Sequence, residues 1–211
     1  MNECEITADQ KEILRRDILK LDIIRDVGFA DVSLYKRVPG GSTPYSFLSD
    51  AKTAVVSIIY MDDVIPTFGK WYVVCLNNFL KQTNEKVAAV LKSHGIYGCG
   101  LVDERPTNNL IGKVSFRQLA VLAGLGTIGR NGCLLHPVYG PRVNICVVLT
   151  NSYIQSDQPL DTELCFDCDI CIKECQIKAL SSTYFDRHKC IDRQRQDKGC
   201  GRPCIYACPV G

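Results

Sequence analysis

The chain has 211 residues, of which 46% are hydrophobic, and its 25 basic and 23 acidic side chains give a formal net charge of +2. This length suits one sizeable domain with a small appended one. The near-neutral charge excludes a strong general attraction to nucleic acid or to an anionic membrane. The acidic N-terminus is not that of a signal peptide, and the longest apolar run, 54–61, is too short to span a bilayer. We therefore expect a cytoplasmic protein with no membrane partner.

The first half of the chain alternates between helical and extended patterns. Thr7 and Gln10 form a predicted capping box, and apolar residues at helical spacing behind it predict a helix that Gly28 ends. A second helix is predicted from Trp71 to His94, where helical periodicity continues until Gly95. The predicted strands are 31–38, 53–60 and 97–102, the second of them almost continuously apolar, as in a central strand.

The second half predicts a shorter helix and two further strands. Ser115 is a candidate cap for a helix that runs to about Ala123, and strands are predicted at 133–135 and 143–149. Strands that alternate with long helices indicate an α+β or α/β core. We expect this α/β core to occupy residues 1–158 and a cysteine-rich module of short helices and loops to occupy residues 159–211.

The cysteines carry the most specific signal. Eight of the thirteen follow residue 164, and this crowding favours metal ligation in a reducing compartment over a disulfide framework. The run Cys165-x2-Cys168-x2-Cys171-x3-Cys175 has bacterial ferredoxin spacing, in which the fourth cysteine serves the other of two [4Fe–4S] clusters. The remaining four cysteines of this group are Cys190, Cys200, Cys204 and Cys208.

The ferredoxin crossover divides these cysteines into two predicted ligand sets. The first set contains Cys165, Cys168, Cys171 and Cys208, and the second contains Cys175, Cys190, Cys200 and Cys204. The second set departs from the usual spacing, because Cys190 lies upstream and three residues separate Cys200 from Cys204. A zinc site is the alternative, although four cysteines within eleven residues do not fit the two C-x2-C knuckles, separated by a spacer, that such sites typically use. We expect the other cysteines to be small buried hydrophobes: Cys4, Cys75, Cys99, Cys133 and Cys146.

A glycine-rich segment precedes the cysteines. Gly124-x-Gly126-x-x-Gly129 matches the letters of the dinucleotide fingerprint, but a predicted helix precedes it and a strand follows it, the reverse of the required context. We therefore do not expect a nicotinamide site. The segment is either a backbone that approaches a ligand closely or a glycine-rich connection without a ligand.

Four motifs in order resemble the epoxyqueuosine reductase family. They are AGLGTIGRNG at 123–132, YGPRV at 139–143, VLTN at 148–151 and the cysteine run. The resemblance covers residues 101–211 and is closest to short relatives that lack a C-terminal HEAT-repeat tail, with reductive dehalogenases as more distant kin. It implies a nitroreductase-like α/β core with a C-terminal ferredoxin-like module, in which two [4Fe–4S] clusters deliver electrons to cobalamin.

The resemblance also assigns roles to individual residues. Asp103, in a Val-Asp-x-x-Pro context, matches an aspartate that acts as proton donor in the family, and a solvated loop carboxylate is the alternative. Three positions depart from the family pattern, with Thr127 for tryptophan, Arg130 for lysine and Asn151 for aspartate. The implied corrinoid contacts are Gly124, Gly126, Gly129, Tyr139, Gly140 and Arg142.

We therefore expect an iron–sulfur oxidoreductase that takes electrons from a low-potential donor of ferredoxin or flavodoxin type. Its reductive step would act on a small molecule or on a corrinoid protein. Because the HEAT-repeat tail and a basic surface are missing, we do not expect nucleic acid as a partner. The alternatives are an electron-transfer protein without a corrinoid and a cluster-based redox or iron sensor.

Overall fold

The computed structural model describes residues 5–68, 72–102, 112–196 and 200–211. The chain divides into two units: Met1–Leu125 with Asn144–Pro159, and Gly126–Val143 with Leu160–Gly211. The second unit thus contains all eight C-terminal cysteines together with most of the glycine-rich segment. The assignment of residues 1–158 to corrinoid binding and of residues 159–211 to cluster binding stays a prediction.

A four-stranded sheet forms the centre of the first unit. Its strand order is β2-β3-β7-β4, and both the β2–β3 and the β4–β7 pairs are antiparallel. Strand β3, the second in this order, is buried along all but its last residue, as its continuous apolar sequence predicts for a central position. The strands are β2 (Asp26–Asp31), β3 (Thr53–Tyr60), β4 (Cys99–Gly100) and β7 (Val143–Thr150).

Among the described residues of the first unit, four helices accompany this sheet: α1 (Ala8–Leu19), α2 (Met61–Phe68), α3 (Tyr72–Ser93) and α4 (Phe116–Leu122). The predicted capping box of α1 and the Ser115 cap of α4 are both confirmed. Helices α1 and α3 bury apolar side chains against the sheet, and each fully buried Leu, Ile or Phe stabilises the fold by about 1.5–3 kcal/mol. This core includes Leu14, Ile18, Val27, Phe29, Val87 and Leu91.

A short parallel pair also belongs to the first unit. It joins β1 (Glu5–Ile6) to β8 (Tyr153–Ile154), and Ile154 is completely buried. The Thr53 hydroxyl accepts a 3.0 Å hydrogen bond from the Ile154 amide, which fixes β8 beside the central sheet. Within the described residues, no helix is long and apolar enough to cross a membrane.

Three secondary-structure predictions for the first unit differ from this fold by more than one residue. The first helix ends at Leu19, and Gly28 lies within β2, where a Cβ would lie 2.2 Å from the Ala123 carbonyl oxygen. This close approach explains a glycine inside a buried strand. The strand predicted at 31–38 is a short 3₁₀ helix, Val32–Leu34, because the Asp31 side chain accepts from the Ser33 amide. The strand predicted at 97–102 is reduced to β4.

The described part of the second unit contains a hairpin and three short helices. The hairpin pairs β5 (Thr127–Ile128) with β6 (Leu134–Leu135), and the strand predicted at 133–135 is therefore one residue shorter. The helices are α5 (Ile170–Lys173), α6 (Arg187–Arg195) and α7 (Pro203–Tyr206). Neither α5 nor α7 contains a buried residue, so apolar burial contributes little to this part of the unit.

Candidate functional site

Four cysteines of the second unit line one cavity. They are Cys165, Cys168 and Cys171, which lie before and within α5, and Cys208, which follows α7. The structure thus brings together the four residues that the ferredoxin crossover assigns to the first set. Gly129 and other residues of the β5–β6 hairpin line the same cavity: Arg130, Asn131 and Leu135.

The loop of the first set is held in an unusual backbone conformation by one arginine. Asp167 and Asp169 flank Cys168 and have φ of 56° and 58°, in the left-handed region that aspartate tolerates better than most residues. Arg130 binds both carboxylates, with its Nε 2.8 Å from Asp167 Oδ1 and its Nη1 bonded to Asp169 Oδ1. The hydrogen bond to Asp169 raises the pKa of Arg130, whose guanidinium is in any case charged at physiological pH. Arg130 therefore supports the curled loop that presents the first cysteines.

The thiols of the first set interact electrostatically. Burial raises the pKa of Cys171, and the nearby Cys165, Cys168 and Cys208 raise it further. Burial likewise raises the pKa of Cys208, while a hydrogen bond with the Val210 backbone lowers it. Four thiols that repel one another as thiolates form a ligand set whose charge a bound cationic centre would compensate.

The second set of cysteines also comes together. Burial raises the pKa of Cys204 to about 12, and the neighbouring thiols that add to this shift include Cys175, Cys190 and Cys200. Two of these sulfurs accept hydrogen bonds, Cys175 from the Ala179 amide and Cys190 from the Gln194 side chain, both at 3.2 Å. Such bonds are a general means of adjusting the potential of an iron–sulfur cluster.

A fifth thiol, that of Cys133, lies with the second set. Among the thiols that raise the pKa of Cys204, Cys133 has the largest effect. The buried Asn131 side chain links the two cysteines, because its Nδ2 donates to the Cys204 carbonyl at 3.2 Å and its Oδ1 accepts from the Cys133 amide at 3.0 Å. Spacing rules missed Cys133 because it lies in the glycine-rich segment, far from the cysteine run.

The remaining cysteines were predicted to be buried hydrophobes. Cys146 is buried in the first unit, which raises its pKa to about 12. Cys75 and Cys99 are half-buried, and Cys133 differs from the prediction because it adjoins a ligand set. Cys4 lies outside the described residues.

The glycines of the predicted corrinoid contact lie against protein atoms. Gly140 has φ of 54°, and a Cβ there would lie 1.8 Å from the Val210 carbonyl oxygen. Only glycine permits this approach of the tail that carries Cys208. A Cβ at any of the other three glycines would also meet protein atoms within 3 Å: Gly124, Gly126 and Gly129.

The side chains of the predicted corrinoid contact are likewise engaged within the second unit. The Tyr139 ring stacks on His136 with centroids 5.1 Å apart, and His136 is buried, with Nδ1 accepting from the Val138 and Tyr139 amides. Arg142 Nη2 donates to the Gly211 carbonyl at 3.2 Å. These contacts give each residue a structural role and do not by themselves identify a corrinoid surface. The predicted proton donor, Asp103, lies outside the described residues.

The donor chemistry of the first set fits an iron–sulfur cluster. Four cysteine thiolates are the usual complete ligand set of a [4Fe–4S] cluster, and here four thiols surround one cavity. Within the described ranges, no group of three or more His, Cys, Asp or Glu side chains is arranged to hold a single metal ion.

Sequence comparison finds two groups of related enzymes. The chain is 32% identical over 126 residues to a tetrachloroethene reductive dehalogenase of Sulfurospirillum multivorans, covering 49% of this chain and 25% of the dehalogenase. It is 36% identical over 89 residues to an epoxyqueuosine reductase of Staphylococcus aureus, covering 42% of this chain and 23% of the reductase. The alignments thus span about a quarter of these relatives. No protein-family profile matches the chain.

Solved structures of the same two groups share the fold. An epoxyqueuosine reductase crystallised with a tRNA-Tyr stem loop matches 96% of this chain with a TM-score of 0.70 at 22% identity. A reductive dehalogenase described in connection with B12-dependent dehalogenation matches 99% with a TM-score of 0.67 at 21% identity. The chain spans 65% of the first structure and 32% of the second. The mixed α/β architecture is therefore that of these enzymes, while the nitroreductase-like core and the ferredoxin-like module stay predictions.

Proposed function

Because the chain is a relative of the epoxyqueuosine reductases, with reductive dehalogenases as further kin, we propose that it is an iron–sulfur oxidoreductase. Two [4Fe–4S] clusters would receive electrons one at a time from a low-potential ferredoxin or flavodoxin. The observation that carries the proposal is the cavity lined by Cys165, Cys168, Cys171 and Cys208. It supports a cluster because the four ligands come from two distant parts of the chain and meet around one space.

The chain's own residues would hold the clusters close together. Cys171 and Cys175 belong to different sets, yet they lie within α5 and just after it. Ligands so near in the chain bring two clusters to short range, which suits transfer of single electrons between them. Arg130 supports the first loop, and Cys175 and Cys190 accept hydrogen bonds that would act on the second cluster.

The proposed electron acceptor is a corrinoid, and this part of the proposal depends on the relatives. When bound, a corrinoid supplies a strongly reducing cobalt centre, while the protein binds and orients the substrate and supplies protons. Asp103 is the proposed proton donor. A general acid at that position needs a pKa near neutrality, which burial of the carboxyl would produce. The proposed contacts remain Gly124, Gly126, Gly129, Tyr139, Gly140 and Arg142.

A small molecule or a corrinoid protein is the proposed substrate. One related reductase was crystallised with a tRNA stem loop, so a tRNA ligand is the competing possibility. The formal net charge of +2 supplies little general attraction for a polyanion, which favours the small molecule. Binding of a tRNA stem loop at physiological salt, measured by fluorescence anisotropy, would contradict this choice.

The first experiment is an anaerobic preparation in which iron, sulfide and cobalt are measured together with optical and electron paramagnetic resonance spectra. We expect about eight irons and eight sulfides per chain, the content of two [4Fe–4S] clusters. A folded, colourless protein without iron would refute the proposal.

Titration with cobalamin then separates the proposed enzyme from its two rivals. Retention of cobalamin with a changed cobalt spectrum supports a corrinoid-dependent reductase. Retention of both clusters without any cobalamin response favours an electron carrier. A second cluster that is lost rapidly in air, with an accompanying change in partner binding, favours a redox or iron sensor.

A further inference from the structure

The second cysteine set contains one thiol more than a [4Fe–4S] cluster needs. Besides the four predicted ligands, Cys133 adjoins Cys204, because the buried Asn131 side chain bonds to the backbone of both residues. The Cys133 thiol also raises the pKa of Cys204, together with the thiols of the other three members. The set therefore offers five sulfurs to a centre that binds four.

Backbone hydrogen bonds fix Cys133 in this place. Its carbonyl accepts from the Gly129 amide at 3.0 Å, which closes the turn between β5 and β6. On the other side, a single amide group, that of Asn131, bonds to both the Cys133 amide and the Cys204 carbonyl. Asn131 is only 5% exposed, so water does not compete freely for these bonds. The two cysteines are thus held together by a buried bridge.

We propose that Cys133 is an alternative ligand of the second iron–sulfur cluster, able to bind the iron that Cys204 otherwise binds. The inference rests on the proposed function, because it requires a cluster in the second set. When the Cys204 sulfur is missing, the Cys133 thiol releases its proton to solvent. Its thiolate then forms the iron–sulfur bond that Cys204 would have formed, with no change in oxidation state.

The first set provides a matched comparison within the same chain. Cys171, like Cys204, is a thiol whose pKa is raised by burial and by neighbouring thiols. Cys171 lines its cavity with Cys165, Cys168 and Cys208, all members of its own ligand set, and the described lining contains no fifth cysteine. Removal of Cys171 should therefore cost a cluster, whereas removal of Cys204 should not.

The test uses the full chain in four variants, each reconstituted anaerobically with ferrous iron and sulfide: C204A, C133A, the C133A/C204A double variant and C171A. Iron and sulfide per chain and the spectrum of the dithionite-reduced protein are the readouts, and circular dichroism checks folding. We expect about eight irons in C204A and in C133A, and about four in the double variant and in C171A. C204S, alone and with C133A, repeats the comparison if an alanine variant does not fold.

Two results would overturn the inference while leaving the proposed function intact. In the first, C204A falls to the iron content of the double variant and keeps only the signal of the first cluster. In the second, C133A alone loses a cluster, which would make Cys133 an obligatory ligand and not an alternative one. Wild-type protein without iron would instead refute the proposed function itself.

Discussion

Arg130 and Asp167 form an ion pair, with Nε 2.8 Å from Oδ1, that joins the β5–β6 hairpin to the loop of the first cysteines. The same guanidinium binds Asp169, so one side chain holds both left-handed residues that flank Cys168. A single exposed ion pair contributes little to stability. A planar guanidinium that binds two carboxylates fixes their relative position, which is what a preformed ligand loop requires.

We predict that R130A weakens the first cluster more than the second. Without the guanidinium, the two aspartates repel each other and the loop loses its support, so the first cluster should be lost several-fold faster to an iron chelator. R130K, which introduces the lysine that the family resemblance leads us to expect at this position, should be intermediate because an ammonium lacks the planar fork. The rates are measured from absorbance, with K20A on the surface of the first unit as the control. Equal loss of both clusters would contradict the role of Arg130.

Gly140 supplies a second prediction. In G140A, the new Cβ would collide with the Val210 carbonyl in addition to the strain of a positive φ. We expect a cost of about 3 kcal/mol or more, or detachment of the tail with loss of the first cluster. G95A is the matched control, because Gly95 also has a positive φ, 75°, but no neighbouring atom lies within 4 Å of the position that its added Cβ would take. Its expected cost is about 1 kcal/mol from backbone strain alone.

Thermal unfolding followed by circular dichroism, together with iron content, measures both variants. If G140A is no less stable than G95A and retains all its iron, the close packing of the tail against the 139–143 turn is not important for the first set.

The elements that could be predicted from sequence are those with a strong local pattern. Strand β3 was predicted with its observed bounds because its apolar run is continuous, and α1 and α4 begin where their capping residues predict. Strand β2 could not be predicted, because Gly28 weakens the strand pattern. A glycine is required there by the close approach of the Ala123 carbonyl, which is distant in the sequence. Local periodicity carries no information about such a contact.

The same distinction applies to the candidate site. Cysteine spacing along the chain was enough to group Cys165, Cys168 and Cys171 with Cys208, since ferredoxin spacing encodes the crossover. It was not enough to place Cys133 beside Cys204, because that neighbourhood depends on the hairpin and on Asn131. The link from Arg130 to the first loop was missed for the same reason.

Asp157 gives a prediction for the first unit. Its carboxylate lies 2.7 Å from Lys11 Nζ and 2.8 Å from Arg15 Nη2, and it accepts from the Phe29 amide at 2.8 Å. D157N keeps an acceptor oxygen but removes the charge that two partly buried cations share. We expect a loss of about 1–3 kcal/mol in the free energy of unfolding by urea. D17N, whose carboxylate binds the exposed Lys20 and the partly buried His94, should lose less.

If D157N and D17N lose the same amount, the burial of Lys11 and Arg15 gives the ion pairs of Asp157 no advantage over the pair that Asp17 forms with the exposed Lys20. Both variants should keep their full iron content, because Asp157 and Asp17 belong to the first unit and the cysteine sets to the second.

Gln194 gives a prediction for the potential of the second cluster. Its Nε2 donates to Cys190 Sγ at 3.2 Å, and a hydrogen bond to a ligand sulfur stabilises the reduced, more negative state of a cluster. In Q194L this donor is lost, so the midpoint potential of the second cluster should become more negative while that of the first stays unchanged. Q196A is the control, because the side chain of Gln196 accepts from Arg193 near the end of the same helix.

Redox titration with electron paramagnetic resonance resolves the two clusters. An unchanged potential in Q194L would show that this hydrogen bond does not act on the second cluster, and a shift of both potentials would show that the substitution acts through the protein's structure and not through Cys190.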